Sequence, residues 1–177
     1  NGTATTALVA PSNLAADTLA KQSMDRNVRV WRCGQEGSIS PQYKALLTRH
    51  CLLAIIERDG FTRQGKAYKR NRRERLKVMV KENRTLTGTC ASLRMPPVLS
   101  ELQHRFVLID EAGQATEPQC IDVLQAVETT FGRFVLCGDP NQLPATVKSQ
   151  ASKKGGLETS LLERLVKNPV FDDAYIM

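Results

Sequence analysis

Two short apolar runs, each closed by acid, constrain this chain most. Residues 105–110 read RFVLID and are followed by Glu111; residues 133–137 read RFVLC and are followed by Gly138 and Asp139. Continuous apolar runs of this length suit strands buried on both faces, the usual state in parallel sheets covered by helices. The two acidic turns lie about thirty residues apart, enough for one helical crossover between parallel strands. In an open parallel sheet, ligands bind outside the carboxyl ends of the strands, so both turns are expected at one crevice.

The rest of the chain keeps the same rhythm. Residues 5–10 (TTALVA) read as a strand, broken by Pro11-Ser12-Asn13, and 14–24 read as a helix that Ser12 or Asn13 caps. Residues 28–31 (VRVW) and 86–90 (LTGTC) are further strands, and 91–104 form a connector. A helix is expected over 118–129, with Pro118 in its first turn, and another over 160–167, where Ser160 and Glu163 have the spacing of a capping box. Ser40-Pro41 opens an apolar-periodic helix through residue 56, and 66–82 read as a second, basic helix. The expected fold is therefore α/β: a mostly parallel sheet with helices on both faces, built from 1–33 and 85–177, with a helical insertion at 34–84.

Composition narrows the function classes. The net charge is +7, yet residues 63–84 alone carry 10 basic and 2 acidic residues, so the basicity is one local patch. Such a patch attracts phosphate backbones, or is simply a solvated helix face. With 41% hydrophobic and 24% charged residues the chain is an ordinary globular mixture. No run reaches the roughly 18 apolar residues that a membrane helix needs. Five cysteines without a CxxC pair, and two histidines, are poor material for zinc and read as free thiols. Trp31, at a strand end, reads as a core residue more readily than as a platform for a base.

An apolar strand ending in Asp110-Glu111 is the physical form of a Walker B site. The rigid strand holds the first carboxylate where it can orient Mg²⁺, and the second can accept a proton from attacking water. An ordinary strand end with solvated acids gives the same short string. Ser12 and Asn13 open a helix, where free N–H groups favour phosphate; capping and phosphate contact are compatible. The wider strings decide between these readings. Residues 107–119 read VLIDEAGQATEPQ, 134–146 read FVLCGDPNQLPAT, and 10–19 read APSNLAADTL. Together with LTGTC at 86–90 they closely resemble the Upf1-like group of superfamily 1 helicases, in the right order along nearly the whole chain.

That resemblance implies a RecA-like P-loop NTPase domain and an ATP-dependent 5′–3′ helicase or translocase on RNA or DNA. It implies Asp110 as the Mg²⁺-orienting acid and Glu111 as the catalytic base. It implies Gln142 as the γ-phosphate sensor, Asp139 beside nucleotide and Mg²⁺, and Gln114 as a relay between the two motifs. Pro11, Ser12 and Asn13 resemble the residues that meet the nucleic-acid backbone, as do Thr89 and Cys90, although Thr89 reads equally as a buried strand threonine. The insertion falls where the family carries a helical subdomain on the nucleic-acid side. The implied partners are single-stranded RNA or DNA and a second RecA-like domain, without a membrane, in nucleus or cytoplasm.

Two departures stand out. No G-x-x-x-x-G-K-[ST] loop occurs, because Gly2-Thr3 has no following Lys to reach phosphates. Ala145 stands where many relatives have proline. The 177 residues are accordingly expected to be part of a longer enzyme, and to bind ATP poorly and hydrolyse essentially none alone. The alternative is a non-catalytic nucleic-acid-binding module that uses the basic insertion; an NTPase of another class fits the two long motifs less well.

Overall fold

The computed structural model describes residues 5–34, 36–44, 84–93 and 103–174. The two expected helices at 41–56 and 66–82 and the basic run at 63–84 lie outside the described residues, apart from 41–44 and Arg84. Five strands form one sheet: β1 (Thr5–Ala10), β2 (Val30–Arg32), β3 (Thr85–Thr89), β4 (His104–Ile109) and β5 (Arg133–Leu136), in the spatial order β2-β3-β1-β4-β5. Every pairing is parallel. Helices flank the sheet on both faces, the arrangement of a RecA-like P-loop NTPase fold, as expected.

Burial explains the strand sequences. β1 and β4 occupy the middle, and Ala7, Val9, Val107 and Ile109 are fully buried. Around them the core gathers Trp31, Leu86, Leu93, Cys120, Val123 and Leu161. The reading of 133–137 as a buried strand is corrected: β5 is an edge strand, and Phe134 and Val135 are exposed. Its outer flank has no strand partner among the described residues, so the apolar run remains open to solvent there.

Local chemistry sets the helix ends. In α1 (Asn13–Asp25), the Ser12 hydroxyl accepts the Ala15 N–H at 3.2 Å, which satisfies one of the orphan donors of the first turn. The strand expected at 86–90 lies one residue earlier, and it ends at Thr89 because Thr89 turns the chain into the brief helix α2 (Cys90–Leu93) by accepting the Ser92 N–H at 3.0 Å. α3 (Glu117–Leu124) begins with a complete capping box between Thr116 and Gln119. It ends five residues before the expected boundary: His104 donates its N–H to Ala126 and accepts that of Glu128, which draws 126–128 into pairing with the start of β4. α4 (Gln150–Lys154) is a short element that no sequence pattern announced. α5 (Leu161–Val166) has half the expected capping box: Ser160 accepts the Glu163 N–H, while the Glu163 carboxylate pairs with Lys167 instead. The start of the helix expected from Ser40-Pro41 is likewise altered. Residues Pro41–Tyr43 form a 3₁₀ turn, and the Ser40 side chain makes no capping bond. Among the described residues no helix is long and apolar enough to cross a membrane.

Candidate functional site

Because all five strands are parallel, their carboxyl ends share one rim of the sheet. Every residue singled out from the sequence lies on that rim: Pro11, Ser12 and Asn13 follow β1, and Thr89 and Cys90 close and follow β3. Asp110, Glu111 and Gln114 follow β4, and Asp139 and Gln142 follow β5. The spatial order places β3 beside β1 and β4 beside β5. The rim is thus divided. Its half at β3–β1 carries the residues expected to meet nucleic acid, and its half at β4–β5 carries those expected to meet nucleotide.

The β4 and β5 turns are built as one unit. Asp110 donates its N–H to Val9 at 2.8 Å, Cys137 donates to Ile109 at 2.8 Å, and Ala112 donates to Cys137 at 2.7 Å. Glu111 has a left-handed backbone (φ 52°), an uncommon state for a non-glycine residue and one that reverses the chain within a single step. Gly138 meets it from the other side at φ 149°, and a Cβ there would stand 3.0 Å from the Ala112 nitrogen. Only glycine adopts that conformation readily while allowing the two backbones to touch.

Side chains continue the arrangement. The Gln114 amide donates to Glu111 Oε2 at 3.1 Å, so Gln114 braces the acid of its own turn. Asp139 accepts the Asn141 N–H at 2.8 Å, and the Gln142 amide reaches its other oxygen at 3.5 Å. Asp110 and Glu111 are half-buried, whereas Asp139 and Gln142 are exposed. The carboxylates of Asp110 and Asp139 are hard oxygen donors, the kind Mg²⁺ takes. Mg²⁺ usually uses one or two protein carboxylates and completes its shell with water and substrate phosphates. Among the described residues no group of three or more His, Cys, Asp or Glu could hold a metal by itself, and that mode of binding needs none.

On the other half, Ser12 and Asn13 are exposed at the start of α1 and Pro11 is half-buried. Thr89 is half-buried, its hydroxyl engaged with the Ser92 N–H. Cys90 is buried in the core, and desolvation, then the neighbouring Cys120, pushes its thiol up to about 12. Any contact it makes with a ligand therefore runs through its backbone. The thiol of Cys120 is pushed up to about 11, first by desolvation and then by Glu117, and that of Cys137 is raised by desolvation and by Asp110. Cys90, Cys120 and Cys137 form no disulfide.

One constellation escaped the sequence reading. Asp17 and Arg32 are completely buried and paired, Arg32 Nε to Asp17 Oδ1 at 2.7 Å. The available signal was Asp17 itself, an acid lying between Ala16 and Ala20 on the apolar face of α1, where an unpaired charge is too costly to keep.

A family model described as an AAA domain matches residues 55–150. The RNA helicase Mov10l1 of Mus musculus is 45% identical over 65 residues, covering 37% of this chain and 6% of that protein. The 5′-3′ DNA helicase ZGRF1 of Mus musculus is 37% identical over 90 residues, covering 50% of the chain and 5% of that protein. The regulator of nonsense transcripts 1 homolog of Arabidopsis thaliana is 32% identical over 179 aligned residues, covering 89% of the chain and 14% of that protein. The chain thus spans only a small part of the length of these relatives.

Proposed function

The chain belongs to the AAA-domain family, among the Upf1- and RecA-related helicases of superfamily 1, and on that footing we propose that it is the first RecA-like domain of an ATP-dependent 5′–3′ helicase or translocase. Its track is single-stranded RNA or DNA, and a second RecA-like domain of the parent protein faces it across the nucleotide. Residues 1–33 and 85–177 make the domain, and 34–84 are a basic insertion on the nucleic-acid side. The observation that carries this reading is the backbone-to-backbone clamp between the two acidic turns. Ordinary solvated strand ends need no such fixed relation; a site that reads one nucleotide with two motifs does.

The roles follow from the chemistry of each group. Asp110, after β4, and Asp139, after β5, would hold Mg²⁺ through their carboxylates. When bound, Mg²⁺ neutralises charge on the phosphates during transfer. Glu111 takes the proton of the attacking water, and Gln114 holds its carboxylate in place by the 3.1 Å hydrogen bond. Gln142 has an amide with both donor and acceptor, so it can shift from Asp139 to a γ-phosphate oxygen when nucleotide arrives. Pro11, Ser12 and Asn13, with Thr89 and the backbone of Cys90, meet the sugar-phosphate chain, positioning it without reading bases.

ATP turnover by the full-length parent protein, with and without single-stranded RNA and DNA, tests the proposal. Turnover is expected to rise with polymer, and the better stimulant identifies the track. Glu111→Gln is expected to lower kcat at least about a hundredfold while nucleotide still binds. A kcat equal to wild type would sink the base assignment. A folded protein that binds polymer and turns over no ATP would favour a non-catalytic binding module.

A further inference from the structure

Arg32 ends β2 with no surface to speak of, yet all three of its nitrogens find partners. Nε donates to Asp17 Oδ1 at 2.7 Å, one terminal nitrogen donates to the Cys33 carbonyl, and the other donates to Asn13 Oδ1 at 3.2 Å. The second Asp17 oxygen accepts the Ser40 N–H at 2.7 Å. The network therefore joins the first turn of α1, the end of β2 and the first residues of the insertion. A buried ion pair is an expensive way to hold a helix on a sheet, since apolar side chains do so at least as well. What it adds is direction.

Guanidinium is donor-only, so the Asn13 atom facing Arg32 is the amide oxygen. The NH₂ group of Asn13 is left unengaged by Arg32, on an exposed residue that opens α1, a helix whose first N–H groups have no partner within it. The result is a cluster of donors with the acceptor turned inward. Phosphate oxygens are acceptors only. We infer that Arg32, locked by Asp17, is a positioning residue for polymer binding: it fixes the Asn13 amide with its donors facing the sugar-phosphate chain. This rests on the reading of Pro11, Ser12 and Asn13 as polymer contacts.

Fluorescence anisotropy of labelled oligo(U) and oligo(dT), titrated with the full-length parent protein, tests it. Asn13→Asp keeps an acceptor for Arg32 but turns the outward donors into a carboxylate oxygen. It is expected to fold and to weaken binding about tenfold or more. Arg32→Lys keeps the charge on Asp17 but loses the planar fork that also reaches Asn13. It is expected to weaken binding roughly three- to tenfold, and to add little when combined with Asn13→Ala. Wild-type binding by folded Arg32→Lys, or losses that simply add in the double variant, would overturn the inference while leaving the polymer contact standing. Wild-type binding by both Asn13→Ala and Asn13→Asp would remove the polymer contact itself, and the inference with it. Should Arg32→Lys fail to fold, Asn13→Gln replaces it: the longer amide cannot keep both the Arg32 bond and the outward NH₂ position, and undiminished binding overturns the inference equally.

Discussion

His104 begins β4 with no exposed surface, and its ring is held at one nitrogen only. Thr5 donates its hydroxyl hydrogen to the Gln103 carbonyl at 3.2 Å, so the 2.9 Å contact with His104 Nδ1 uses the Nδ1–H as donor. Nε2 is left as a bare acceptor without a partner. Protonation would place a new N–H in that dry position, and burial accordingly lowers the His104 pKa to about 4 from 6.5. The sign of the linkage is direct. The unfolded chain binds this proton from about pH 6.5 downward and the folded chain resists it until about pH 4. The contribution is therefore complete above pH 6.5 and is lost as pH falls toward 4, to a total on the order of 3 kcal/mol. Chemical denaturation of wild type and His104→Gln between about pH 7.5 and about pH 4 is expected to give curves that converge as pH falls; parallel curves would show that the fold leaves the His104 pKa at its ordinary value.

At the scale of elements, the two acidic turns hold the most specific chemistry. Gly138→Ala forces a Cβ into a backbone state of φ 149° and to within 3.0 Å of the Ala112 nitrogen. The expected cost is about 2 kcal/mol in stability, with a fall in turnover because Asp139 and Gln142 move relative to Glu111. Thermal denaturation and steady-state kinetics of the full-length variant check both, and unchanged kcat would show that the clamp is not needed for catalysis. These turns were legible beforehand because the strands that carry them are apolar runs ending in acid, a pattern that local sequence contains in full. Other boundaries were not. The apolar spacing of Val123, Leu124 and Val127 reads as continuing helix, but the chain after Leu124 bonds to His104, some twenty residues earlier in sequence. The onset of β2 at Val30 rather than Val28 reflects Asn27, whose left-handed backbone (φ 60°) and the Val28 bond to Ser23 spend the first two residues in a turn. The pairing of Asp17 with Arg32 was equally out of reach, since no periodicity relates a helix acid to a strand base fifteen positions on.

Across the whole molecule, the strand order sets what can be felt where. β1, whose end carries the residues proposed to meet polymer, pairs directly with β4 of the proposed nucleotide half, and its Val9 carbonyl accepts the Asp110 N–H. A shift of the β1 end is thus one hydrogen bond from the proposed metal-orienting acid. The opposite property belongs to β5, whose Phe134 and Val135 lie open on an edge strand. An exposed apolar edge is a template for pairing with another strand. The 177-residue chain by itself is expected to self-associate with rising concentration, and Val135→Lys to suppress this; sedimentation velocity across a concentration series checks it, and a wild-type chain that stays monomeric would refute it. The other outer strand, β2, carries Trp31, buried at 1% exposure and followed immediately by Arg32. It is the chain's sole indole. Its emission is consequently a single-site optical signal in the blue-shifted range of a dry environment. On the proposed assignment of sites, polymer held at Asn13 is expected to alter the emission of this chain's indole, and nucleotide held beyond β4 and β5 to leave it unchanged.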